Sequence, residues 1–176
     1  MDEKDRNQNR LIRTLKETLL RPPASNVMVE KRGRFEMSYI PHHVIRDRLN
    51  RTFGPHRWST RLTGPPIRLA EENTRDGKWK VVYGCTLALT IVWPDGSAVT
   101  HEEPGSDVSV NSSLADACEM AFKACQSIAM RRCAMNLGPY FGLSLYEGGD
   151  DHSKLPMDSG ALWDKWLKYS TEENGQ

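Results

Sequence analysis

The stretch "WKVVYGCTLALTIVWPDGSAVTHEE", residues 79–103, decides the fold. Val81, Tyr83, Cys85, Leu87, Leu89, Ile91 and Trp93 fall on one side of an extended chain, and Gly84, Thr86, Ala88 and Thr90 on the other. A period of two over this length predicts a long strand with one buried face and one smaller, partly polar face. Pro94-Asp95-Gly96-Ser97 then supplies Asp-Gly turn chemistry, so residues 98–103 are expected to return antiparallel. Upstream, "RWSTRLTG" (57–64) also alternates, with Trp58, Thr60 and Leu62 opposite Arg57, Ser59 and Arg61. The three segments predict a three-stranded antiparallel meander.

A meander with one apolar face needs a cover, and residues 114–137 read as the helix that supplies it. Ser113 followed by Asp116 resembles a capping box, and Gly105 to Ser112 reads as the loop before it. Ala117, Cys118, Ala121, Ala124 and Cys125 are small enough for close approach to the sheet or to a neighbouring subunit. With Ala121 as zero and about 100° per residue, Arg132 falls near 20°, on the stripe, and Arg131 near −80°, to its side. Either the core ends there, or Arg132 has an anionic partner.

Residues 1–10 are polar and read as a flexible N-terminus. Leu11, Ile12, Leu15 and Leu19 share a helical face, and Pro22-Pro23 stops that helix. Residues 24–38 read as loop or short strand. A second helix from Pro41 buries Ile45, Leu49 and Phe53 and ends at Gly54-Pro55. The main domain is expected over 11–147. Residues 148–176 read as a linker and a short aromatic helix with Leu162, Trp163, Trp166 and Leu167. The fold class is α+β, a β-β-β-α core with N-terminal helices.

Composition excludes more than it assigns. The chain has 176 residues, 27% of them charged, with a net charge of +1. Residues 1–69 hold 15 Lys/Arg against 7 Asp/Glu, and 121–140 hold 3 against none, while 70–120 hold 3 against 9. Such segregation suits a nucleic-acid groove. No apolar run approaches a membrane span and no signal-peptide pattern opens the chain, so a cytoplasmic or nucleoid-associated protein without a membrane partner is expected. Cys85, Cys118, Cys125 and Cys133 contain no CxxC pair; three of them lie at helical spacing and read as small core residues of a reducing compartment rather than zinc ligands. His42-His43 lack a carboxylate or cysteine at ligand spacing, and there is no GxxxxGK[ST] phosphate loop. No cofactor and no ATP-driven strand exchange are expected. Glu102, Glu103 and Asp107 would suit a metal-dependent nuclease, but their span reads more simply as a solvated turn. A monomeric module binding duplex nucleic acid is the other alternative.

The order of these pieces resembles one family. "YIPHHVIRDRLNRTFGPHRW" (39–58), "KVVYGCTLAL…WPDGS…HEEPG" (80–105) and "RRCAMNLGPYFGLSLYE" (131–147) are similar to the Rad52/Rad22 family of single-strand annealing recombination proteins. The similarity runs over roughly residues 11–150, with Met135 standing where a further basic residue is usual. It implies DNA repair and recombination without catalysis, by a closed homo-oligomeric ring whose outer basic groove holds single-stranded DNA. It also implies Arg131 and Arg132 as the groove floor, with phosphate as the partner of Arg132. Lys31, Arg32 and Arg34 are candidates for the opposite wall, or for a solvated loop. Lys78 and Lys80 match a region used for a second DNA site, or are ordinary surface lysines. Tyr39 could stack on a base or sit in the core, and Arg57 and Arg61 read as a solvated strand face. A recombinase, an exonuclease or a single-strand-binding protein would be natural partners.

Overall fold

The computed structural model describes residues 3–20, 22, 24–32 and 34–146. Helix α1 (Glu3–Thr18) leads through a single helical turn to a separate hairpin, β1 (Met28–Arg32) and β2 (Phe35–Tyr39). Helix α2 (His42–Thr52) follows, then β3 (Trp58–Leu62), β4 (Ile67–Asn73), β5 (Trp79–Val92), β6 (Ala98–Asn111) and the long helix α3 (Leu114–Met135). Residues 3–10, left as a flexible N-terminus by their polarity, are helical; Glu3 and Asp5 in the first turn complement the helix dipole. Residues 148–176, with the expected aromatic helix, lie outside the described residues.

Strand β5 is the spine of the main sheet. It pairs along its whole length with β6, from Trp79 opposite Asn111 to Val92 opposite Ala98. Its other edge is shared by β3, opposite residues 87–91, and β4, opposite 79–84. The meander is therefore present, but one of its three layers is split into two strands, and the hairpin 28–39 adds two more. The fold is α+β with six strands rather than three. The odd-numbered face of β5 is the buried one: Val81, Leu89 and Ile91 are fully covered, and Cys85 and Leu87 nearly so.

Two expectations need correction, for related reasons. Residues 105–111 are strand, not loop. Pro104 and Gly105 look like a turn, but β6 pairs only with β5 among the described strands, and an edge strand tolerates a proline that lacks a donor. Gly105 is required because α3 crosses it. A Cβ there would lie 2.3 Å from the Cys125 carbonyl oxygen and 2.5 Å from the Ala129 nitrogen. Strand β4 escapes the period-two reading because a bulge between Arg68 and Ala70 breaks its register, and its side chains are all exposed.

Helix α3 begins as expected, with Ser113 as N-cap accepting a hydrogen bond from the Asp116 amide. Its buried positions are Ala117, Ala121, Cys125, Ala129, Met130, Cys133 and Ala134. A run spaced by four drifts about 40° per step, so the stripe rotates as it follows the twisted sheet. By the last turns its centre has left Arg132, which is why that arginine is not on the buried face after all. The cysteines are free thiols. Burial pushes Cys125 up to about 12 and Cys133 up to about 11, so both stay protonated and serve as small apolar spacers.

Helix α2 buries Ile45, Leu49 and Phe53 as the spacing predicts. It also buries Arg48, only 1% exposed, whose guanidinium lies 4.5 Å from the Tyr140 ring centroid and donates to the Tyr140 carbonyl. This ties the turn after α3 (Pro139–Phe141) to α2.

The crossing at Gly105 gives a direct test. Gly105→Ala is expected to cost about 1–3 kcal/mol in denaturant unfolding, because backbone must move on both elements. Gly84→Ala should cost less, since its Cβ would meet only the exposed Leu69 side chain, at 3.0 Å.

Candidate nucleic-acid interface

The C-terminal turns of α3 meet the base of the β1–β2 hairpin. Ile40, 3% exposed, plugs into the core just after β2, and Pro41 caps α2. This anchors the preceding residue, Tyr39, against the flank of α3. The Arg131 guanidinium carbon sits 4.7 Å from the Tyr39 ring centroid, a cation–π contact. The two side chains share a cleft of about 170 Å3 with Arg132, Met135 and, deeper, Ile45 and Phe141.

Arg132 leaves the other flank of α3 and finds an acid on the sheet. Its Nε and Nη2 both donate to Glu103 Oε2, at 3.2 Å each, and Asn136 Nδ2 donates to Glu103 Oε1 at 3.3 Å. So Arg132 does have an anionic partner within the chain, and phosphate is not needed to explain its position. Arginine has five N–H donors, so this pairing leaves three of them for another oxyanion.

The remaining candidates are distributed unevenly. Lys31 is exposed on β1 and pairs at 3.0 Å with Glu36 across the hairpin. Arg34 is exposed at the hairpin turn, about 17 Å from Tyr39 at the rise of a strand. Arg32 lies in β1, and its side chain is outside the described residues. The hairpin thus forms an arm whose base touches the Arg131 region and whose tip carries Lys31 and Arg34. Lys78 and Lys80 are elsewhere. They are exposed and paired with Asp76 (3.3 Å) and Glu72 (3.6 Å) at the far end of β5. Lys80 is about 23 Å along the strand from Leu87, whose carbonyl accepts a hydrogen bond from Cys133. Arg57 is not on a solvated face: it is half-buried and donates to the Trp93 carbonyl at 2.8 Å. Arg61 is exposed, as expected.

Residues that the sequence raised only as metal-ligand candidates also shape the site. Glu103 faces α3, whereas Glu102 faces the opposite side of β6, so Glu102 cannot join Glu103 and Asp107 at one ion. His42, the first residue of α2, places Nε2 2.9 Å from Met130 Sδ. A thioether only accepts, so the neutral ring donates from Nε2. Burial, then the neighbouring charges of Arg46 and Arg131, hold the His42 pKa below its usual value of 6.5. Folded protein therefore binds this proton less readily than unfolded chain. The associated stability is complete above about pH 6.5 and is lost as pH falls below that, through the lower pKa of the folded state. Denaturation midpoints of the wild type should fall on acidification through that range, and His42→Gln should flatten the decline. An equal decline in the variant would remove His42 as its cause.

The family model described as "Rad52/22 family double-strand break repair protein" matches residues 11–158. No curated protein matches the sequence. The matched span includes every described strand and helix from Leu11 onward, and it covers most of the chain. The chain belongs to the Rad52/22 family, whose members act in DNA repair and recombination by annealing single strands.

Proposed function

We propose that this chain binds single-stranded DNA in the groove between the end of α3 and the β1–β2 hairpin, and anneals complementary strands without ATP and without catalysing a covalent step. The observation that carries this reading is the cation–π pair of Arg131 and Tyr39 lining one cleft with Arg132. Annealing requires screening of phosphate repulsion while bases stay accessible. Arginine forks hold phosphate oxygens bidentately and carry no base information. The hairpin arm, with Lys31 and Arg34 toward its tip, provides the facing wall.

A single protomer presents a groove only a few residues wide, so the reading includes a homo-oligomer, a closed ring that aligns the grooves of many copies. The sheet face turned away from α3 supports association. Ile67, Leu69, Val108 and Val110 on or beside it are 44–61% exposed. Adjacent large apolar side chains left in water are a surface suited to another protein surface.

Fluorescence-monitored annealing of complementary strands, with no nucleotide, should run faster than the spontaneous reaction. Sedimentation of the same preparation should find a large oligomer. No acceleration at protein excess would sink the reading, and a monomer binding duplex in preference to single strands would replace it. Arg132→Ala should weaken binding equally across sequences and reduce the log–log salt slope by roughly 0.7 per lost phosphate contact. Its effect on folding should stay within about 1 kcal/mol, since the half-exposed pair with Glu103 is screened. Early melting with an unchanged slope would assign Arg132 to structure alone.

A further inference from the structure

A second basic cleft lies on the far side of α2. Its volume is about 180 Å3, and its walls include Arg10, Arg13 and Glu17 of α1, Arg51 of α2, and Arg57 just before β3. Buried Phe53 also lines it. Four guanidiniums converge on this small space. Arg10, Arg13 and Arg51 reach solvent that screens them, but their shared positive charge still favours an anion among them. The chain supplies only part of the opposing charge. Glu17 pairs with Arg13 at 3.3 Å, and Asp47 pairs with Arg51 at 2.7 Å from outside the cleft. Arg10 and Arg57 have no carboxylate partner among the described residues, so two positive charges are left over. Arg57 is the most telling. Its Nη1 is held by the Trp93 carbonyl, while its Nε is shielded from solvent and has no acceptor.

We propose that this cleft is a second phosphate site, occupied by the backbone of the bound DNA strand; this rests on the single-strand reading above. The chemistry required is that of an oxyanion accepting from several forks at once, which phosphate satisfies better than a single carboxylate. The cleft offers no exposed aromatic face for a base, so the contact would be blind to sequence. An acidic peptide would present carboxylates to the same forks, but Phe53 is 6% exposed and leaves little apolar surface to anchor side chains. The two basic sites sit at opposite ends of α2, whose 11 residues separate them by about 16 Å along its axis. His42, at one end, contacts Met130 beside Arg131; Arg51, at the other, lines the cleft. A strand passing from one to the other would be held at two points on each protomer.

The test uses the full chain with Arg10→Gln and Arg51→Gln combined, both side chains being exposed. Binding of poly-thymidine is followed against salt, and melting is followed with and without inorganic phosphate or polyglutamate. The expected result is a wild-type melting temperature and a salt slope reduced by roughly 0.7–1.4, one or two phosphate contacts. Arg10→Lys with Arg51→Lys, which keeps the charge, should recover most of the slope. An unchanged slope in the Gln variant overturns the proposal even if Arg132→Ala flattens it, and then the groove reading stands alone. Stabilisation of the wild type alone by free phosphate or polyglutamate, with the DNA slope unchanged, overturns it too and makes the cleft a small-anion or acidic-peptide site. If wild type does not bind poly-thymidine at all, both readings fall together.

Discussion

The crossing of α3 over Gly105 is the constraint on which the other arrangements depend. Backbone lies against backbone there, with no room for even a Cβ. The α3 residues on the line of that crossing are small for the same reason, Ala121, Cys125, Ala129 and Cys133, while the larger buried Met130 meets His42 of α2. The crossing also sets the register of the site. Glu103 is two residues before Gly105 and so on the same face of β6, about 7 Å farther along. Arg132 is three residues beyond Ala129, about 4.5 Å farther along α3. The two advances run in the same direction, and the acid and the arginine meet. A larger residue at 105 would lift the helix and change the height of the arginine pair above the sheet.

What was legible in the sequence follows from what packs locally. Strand β5 alternates cleanly because one face is buried by α3 along nearly its whole length, and α2 shows Ile45, Leu49 and Phe53 because they enter one core. Strand β4 gives no such signal, since both of its faces are exposed and its apolar residues, Ile67 and Leu69, point to water. Residues 104–105 misled in the other direction. Proline and glycine are turn residues in isolation, and only the edge position of β6 and the approach of α3 make them strand residues here. Arg132 was misplaced because a fixed helical projection ignores the rotation of the stripe over a twisted sheet. Its partner, Glu103, lies 29 residues away and carried no local sign of pairing.

The N-terminal surplus of basic charge also resolves into different uses. Arg48 is inside the protein, stacked on Tyr140, and Arg57 braces the end of β5 through the Trp93 carbonyl. Neither contributes to the Arg131 groove, although both add to the count that suggested one. Arg48 keeps Nε and Nη2 without acceptors, so its burial is not explained by satisfied hydrogen bonds. The compensation is the ring face and the carbonyl of Tyr140, at a chain reversal whose Phe141 also packs against Phe53. Net charge by segment therefore overcounts the cations available at the surface.

If Arg132 holds phosphate as proposed, Glu103 beside it looks at first like a defect, since it opposes phosphate. In a groove that served annealing its effect would be different. An unpaired arginine would lose much side-chain freedom on binding, at a cost of order 1 kcal/mol per immobilised side chain. Glu103, itself held by Asn136, already holds Arg132 in place, and Tyr39 does the same for Arg131. Binding then costs less ordering, while the nearby carboxylate lowers the attraction for each phosphate. A strand held by many such modest contacts is retained as a whole, yet each phosphate can exchange locally. Pairing with a complementary strand needs that local freedom, because the register must shift until the bases match. On the annealing reading, the acid that competes with DNA is what keeps the groove from gripping any one register too tightly.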